Sequence, residues 1–135
     1  MPIVIDASVT MAWHFEDEAT ERTDTALNRL RSDSAIVPPL WPLEISNVLL
    51  VAERRNRTTE AQSARFLDLL GQLPIHVDSL PTDPSAIVSV GRRHGLSAYD
   101  ATYLALAQRL DLPLATLDDK LLAACRAAGV RLAME

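Results

Sequence analysis

The chain has 135 residues, 48% hydrophobic and 23% charged, with a formal net charge of −5 and a single cysteine. That balance argues against disorder and fits one globular domain over residues 1–135, and Cys125 alone can close no internal disulfide. No run approaches the roughly 20 apolar residues of a membrane-spanning helix, and no basic-then-apolar leader opens the chain, so a cytoplasmic protein is expected.

Residues 2–5, PIVI, form a short apolar run suited to a buried strand, with Asp6 at its carboxyl end. Ser8 is placed to cap a helix over residues 9–15, and the acidic EDEATER segment opens a second helix to about Arg31, with Ala26, Leu27 and Leu30 on one face. Residues 35–37 predict a second strand. The PPLWP loop then leads into a helix with Pro42 and Glu44 in its first turn and an apolar stripe of Ile45, Val48, Leu49 and Ala52. A helix begins at Thr58 or Thr59 with Ala64, Leu67, Leu70 and Leu73 turned inward, and Pro74 stops it.

A third strand is expected over 75–77 and a helix over 84–93, closed by His94 and Gly95. Ser97 starts a helix carrying Asp100 in its first turn, with Ala101, Leu104, Ala105 and Leu110 facing the core. A strand over 114–117 runs into Asp118, followed by a helix over 119–128, a stop at Gly129 and a last strand over 130–133. Short strands alternating with helices imply an α/β fold: a mainly parallel sheet covered on both faces.

Asp6 and Asp118 each end a strand, while Glu44 and Asp100 each open a helix. In a parallel sheet such positions lie along one edge, so four acids distant in sequence come close in space. Each also has an ordinary structural reading. Ser97 with Asp100 matches a capping pattern, Asp118 can cap the helix after it, Glu44 suits the positive end of a helix, and Asp6 is a turn residue. Together, however, four anions on one edge repel each other unless cations hold them. An all-oxygen set selects Mg²⁺ or Mn²⁺ over zinc. His14, His76 and His94 have no ligand spacing, and His14 is read as packed or solvated. Neither a nucleophile elbow nor a glycine-rich phosphate loop is present.

With these residues assembled, the chain resembles PIN-domain ribonucleases of the VapC toxin type over essentially its whole length. The pieces that carry the resemblance are VIDASV with Asp6, PLEISNVL with Glu44 and Asn47, LSAYDATYLALA with Asp100, and LATLDDKL with Thr116 and Asp118. It implies a three-layer α/β/α fold and a metal-dependent endoribonuclease that hydrolyses RNA phosphodiester bonds. Asp6, Glu44, Asp100 and Asp118 would be its catalytic and metal-holding acids, with Mg²⁺ or Mn²⁺ as the cofactor. Ser8, Asn47 and Thr116 would orient carboxylates or waters. The family's Thr-x-Asp pattern selects Asp118, leaving Asp119 as a first-turn helix residue. Implied partners are the RNA substrate, a second copy in a homodimer, and a cognate antitoxin, together a heterotetramer or larger; no membrane is involved.

Within this reading, Asp6 and Asp118 are expected to hold the principal ion and Asp100 to share it, with Glu44 serving a second ion or the attacking water. Arg54, Arg55, Arg57, Arg92 and Arg93 are candidate phosphate contacts, and Leu49, Leu50, Leu67 and Leu70 are core residues with a partner face as the alternative. The competing readings are an RNA-processing nuclease without antitoxin, a phospho-acceptor signalling domain and a silent binding module. A phospho-acceptor would want paired acids after the first strand, where this chain has Asp6, Ala7 and Ser8.

Overall fold

A computed structural model of the protein describes residues 1–134. The chain runs β1 (Ile3–Ile5), α1 (Ala7–Ala12), a 3-10 turn (Glu16–Glu18), α2 (Glu21–Arg29), β2 (Ala35–Val37), α3 (Leu40–Arg54), α4 (Glu60–Gly71), β3 (Ile75–Val77), α5 (Pro84–His94), α6 (Ala98–Leu110), β4 (Leu114–Ala115) and α7 (Asp119–Ala128). The four strands pair in parallel in the order β3-β2-β1-β4.

Strand order and handedness explain the layers. Going from β1 to β2 to β3 the chain moves steadily one way, so right-handed crossovers put α1 to α4 on one face of the sheet. It then doubles back past β1 to form β4, which puts α5 and α6 on the other face. The result is the expected three-layer α/β/α arrangement. β1 and β4 are wholly buried apolar runs, as strands covered on both faces should be. At the free edge His76 and Val77 of β3 are exposed.

The reversal of direction opens a crevice beyond the carboxyl ends of β1 and β4, the place where open α/β sheets receive ligands. The core beneath it is built from Ile3, Val4, Ile5, Ile45, Leu49, Leu104, Leu114 and Leu121. Cys125 belongs to that core, and its burial pushes the thiol up to about 11. Two glycines end helices in left-handed backbone, Gly95 at φ 64° and Gly129 at φ 73°, which a side chain would strain.

Several boundaries differ from the sequence-based expectation, each for a local reason. Asp6, not Ser8, caps α1: its carboxylate accepts from Val9 N at 3.1 Å, so the helix starts at Ala7. The EDE triplet makes a separate 3-10 turn because Thr20 and Thr23 form a reciprocal capping box that starts α2 at Glu21. α3 begins at Leu40, since Pro42 lacks an N–H only where the first turn needs none; Glu44 therefore sits in the second turn.

In α4 the inward residues are Ser63, Phe66 and Leu70, while Ala64 and Leu67 face out. Phe66 has more area to bury than either, and Ser63 donates to Glu53 at 2.8 Å. Leu49 is core, but Leu50 is exposed. β4 stops at Ala115 because the Leu117 N–H goes to Ser8 Oγ, 3.0 Å away, instead of continuing the ladder. The expected last strand reduces to one parallel bridge between Leu114 and Leu132.

Candidate active site

Asp6 is the centre of the crevice. It follows β1 directly and is only 5% exposed. Its Oδ1 accepts from Ser8 Oγ at 2.6 Å and from Val9 N at 3.1 Å, and its Oδ2 accepts from Thr116 Oγ1 at 2.5 Å. Burial pushes this carboxyl up to about 6, although the three hydrogen bonds favour the ionised form; the charge of Asp100 adds a smaller upward push.

Ser8 and Thr116 do more than touch Asp6, because each also ties β1 to the segment after β4. Ser8 Oγ accepts the Leu117 N–H at 3.0 Å, and Thr116 Oγ1 accepts the Asp118 N–H at 3.0 Å. One hydroxyl thus fixes the Asp6 carboxylate and the backbone that launches Asp118. Asp118 caps α7 through Oδ1, which accepts from Leu121 N at 2.9 Å. Asp119 is the exposed first residue of that helix.

Asp100 and Glu44 approach from helices. Asp100 sits in the first turn of α6, whose cap Ser97 accepts its N–H at 3.2 Å. Burial raises its carboxyl, the charge of Asp118 raises it further, and Ser97 and Lys120 lower it. Glu44 is half-buried on α3, and its Oε1 accepts from Tyr103 Oη at 2.6 Å. Its carboxyl is also raised, by burial first and by the charge of Asp100, against the lowering effect of Tyr103. Tyr103 is buried, and its phenol is pushed up by burial, by its bond to Glu44 and by the charges of Glu44, Asp6 and Asp100.

The fold therefore brings all four sequence-predicted acids to one crevice, where each lies in the electric field of another. It does not close them into a cluster: among the described residues no group of three His, Cys, Asp or Glu side chains is gathered tightly enough to hold an ion. The donor set nevertheless fits a hard divalent cation, being all oxygen, and in Asp6, Glu44 and Asp100 burial and the charge of a neighbouring acid oppose ionisation in the absence of a cation. Asn47 lies exposed one turn beyond Glu44.

Tyr103 is the crevice residue that sequence reasoning missed. The one available signal was its place three residues after Asp100, on the same side of a helix.

Arg57 and His14 are engaged elsewhere. Arg57 donates to Asp17 at 2.8 Å and to Glu18 at 2.9 Å and rests over the Phe15 ring, 4.0 Å away. It follows the end of α3 farthest from Glu44 and is engaged by acids rather than open to phosphate. His14 is packed, its ring stacked on Phe66 with 4.6 Å between centroids and Nε2 3.0 Å from Thr58 Oγ1. No helix among the described residues is long and apolar enough to cross a membrane.

A family model described as PIN domain matches residues 3–127. Among curated proteins, Ribonuclease VapC3 of Pyrobaculum aerophilum is 28% identical, covering 90% of this chain and 92% of that protein. Ribonuclease VapC1 of Mycobacterium tuberculosis is 35% identical, covering 70% of this chain and 71% of its own. Among solved structures, a toxin-antitoxin complex from Klebsiella pneumoniae superposes with a TM-score of 0.64 at 19% identity, covering 90% of both chains, a likeness of fold.

Proposed function

We propose, from the premise that this chain belongs to the PIN-domain family, that it is a metal-dependent endoribonuclease and the toxic half of a toxin–antitoxin pair. Two relatives carrying the name Ribonuclease VapC, one of them matched over nine-tenths of this chain, support the nuclease reading. The observation that carries it is the pair of hydrogen bonds made by the Thr116 hydroxyl, donated to Asp6 and accepted from the Asp118 N–H, which joins the Asp6 carboxylate to the start of the Asp118 segment across the mouth of the sheet.

In this reading Asp6, Glu44, Asp100 and Asp118 hold Mg²⁺ or Mn²⁺. Such an ion, when bound, lowers the pKa of a water, neutralises phosphate charge and stabilises the leaving oxygen. The chain's own residues prepare the place. Ser8, Thr116 and the Val9 N–H orient Asp6 and favour its ionised form, so that both oxygens are aimed before anything binds. Glu44 and Asp100, less buried, complete the negative field. That field repels an RNA backbone unless cations offset it, which makes metal and substrate binding interdependent.

The toxin-antitoxin complex from Klebsiella pneumoniae that shares the fold supports an antitoxin as partner. A basic side chain of such a partner would satisfy the same carboxylates and exclude the cation. Assembly as a homodimer, and as a larger complex with antitoxin, belongs to the same proposal.

The test is incubation of the purified chain with single-stranded RNA in Mg²⁺ or Mn²⁺, then with excess chelator. Endonucleolytic fragments that appear with either ion and vanish with the chelator are expected. Intact RNA in both ions, or fragments that persist in chelator, would overturn the reading.

A further inference from the structure

Glu44 faces a problem that Asp6 does not. Asp6 is held by three hydrogen bonds, from Ser8, Val9 and Thr116, whereas Glu44 projects from the second turn of α3 on a longer, half-buried side chain and is repelled by Asp100. Left alone, such a carboxylate relieves the repulsion by swinging toward water. The helix beneath it is well anchored. Trp41 Nε1 donates to Thr10 Oγ1 at 3.0 Å, and Thr10 Oγ1 donates to the Asp6 carbonyl at 2.9 Å, tying the first turn of α3 to the end of β1. That anchor sets where α3 sits, but it does not set where the Glu44 carboxylate points.

The contact that does is the 2.6 Å bond from Tyr103. Tyr103 is only 2% exposed, so its ring is locked by packing and its hydroxyl has a fixed position. A hydrogen bond to an ionised oxygen is about twice as strong as one between neutral groups. Tyr103 also lies three residues after Asp100 on α6, so one helical turn both supplies an acid and restrains the acid from α3.

We infer that Tyr103 is a positioning residue, whose hydroxyl holds the Glu44 carboxylate in the crevice against the repulsion of Asp100. The inference rests on the proposal that the acids share a divalent cation, and its test separates the two. Tyr103→Phe, Glu44→Gln and the double variant are compared with the parent protein by Mn²⁺ titration calorimetry without RNA, by thermal unfolding in chelator and by RNA cleavage.

Tyr103→Phe is expected to keep its unfolding midpoint within a few degrees while binding Mn²⁺ roughly tenfold more weakly, the scale on which ligand-orienting residues act. Cleavage should fall at low Mn²⁺ and recover at high Mn²⁺, and in the Glu44→Gln background the phenylalanine should cost nothing more. A merely structural tyrosine would shift unfolding and leave that coupling at zero. If Glu44→Gln weakens Mn²⁺ binding while Tyr103→Phe binds like the parent, the positioning role is overturned and the nuclease proposal stands. If the parent itself takes up no Mn²⁺, both fall. Should Tyr103→Phe not fold, Tyr103→Met, whose flexible chain fills irregular core space without a hydroxyl, takes its place in the same cycle with Glu44→Gln. Mn²⁺ binding weakened only while Glu44 is present then supports the link, and parent-like binding overturns it.

Discussion

The crevice has two halves built on different principles. In the strand half, Asp6, Ser8, Thr116 and the backbone of residues 117 and 118 are joined within a few residues of two strand ends by short hydrogen bonds, and the carboxylate is almost wholly buried. In the helix half, Glu44 and Asp100 are half-buried, and the contact that crosses from helix to helix is the one from Tyr103. The strand half is therefore preorganised whether or not an ion is present, at a cost in stability, while the helix half is free to adjust when one arrives.

Asp6→Asn should break that contrast with the largest effect, and with opposite signs in its two readouts. RNA cleavage is expected to drop on the order of a hundredfold or more, since a neutral amide cannot replace a carboxylate toward a divalent ion. Stability in chelator should rise. The Asp6 carboxyl stands at about 6 in the fold against 3.8 for the ordinary group, so the folded state binds this proton more tightly than the unfolded chain does. The stability linked to it is full below pH 3.8 and is lost as pH rises through 6, about 3 kcal/mol in all. Chemical denaturation at pH 4.5 and 7.5 should show the variant more stable than the parent at the higher pH, with the gap narrowing at the lower one. Equal stability at both values would mean that burial does not burden Asp6.

Thr116→Val tests the bridge at smaller scale. Valine keeps the shape but leaves Asp6 Oδ2 without its donor and the Asp118 N–H without its acceptor, both near the buried sheet end. A loss of about 1–3 kcal/mol in urea denaturation is expected, as for other buried polar groups left unpaired. A loss well below that range would mean that water replaces the hydroxyl and that the strand half is less closed than its hydrogen bonds suggest.

The same division explains what could be read from the sequence. The placement of Asp6 at a strand end was legible because an apolar run ending in an acid fixes where the side chain emerges, and Asp118 was placed on the same edge although its strand stops three residues earlier, at Ala115. Most strands and helices were legible for a similar reason, and so was the three-layer order, since alternating short strands and helices leave few arrangements. Tyr103 was not, because its hydroxyl meets Glu44 only where α3 and α6, from opposite faces of the sheet, reach the same crevice. The inward face of α4 was misjudged for the same kind of reason: Phe66 and the bond from Ser63 to Glu53 choose the face, and both depend on tertiary neighbours. Asp6 as the cap of α1 was missed because one carboxylate serves a helix and a pocket at once.

Asn47→Ala should have the smallest effect on the fold and is informative for that reason. Asn47 is exposed on α3, one turn beyond Glu44, so its replacement removes little packing, and alanine is the better helix former by about 0.5 kcal/mol. The unfolding midpoint should hold or rise slightly. Any loss of cleavage then cannot come from a weakened fold and must come from the amide itself acting on water, ion or RNA beside Glu44. A several-fold fall in cleavage with unchanged stability is expected. Parent-like cleavage would remove Asn47 from the helix half and leave Glu44, Asp100 and Tyr103 as its whole complement.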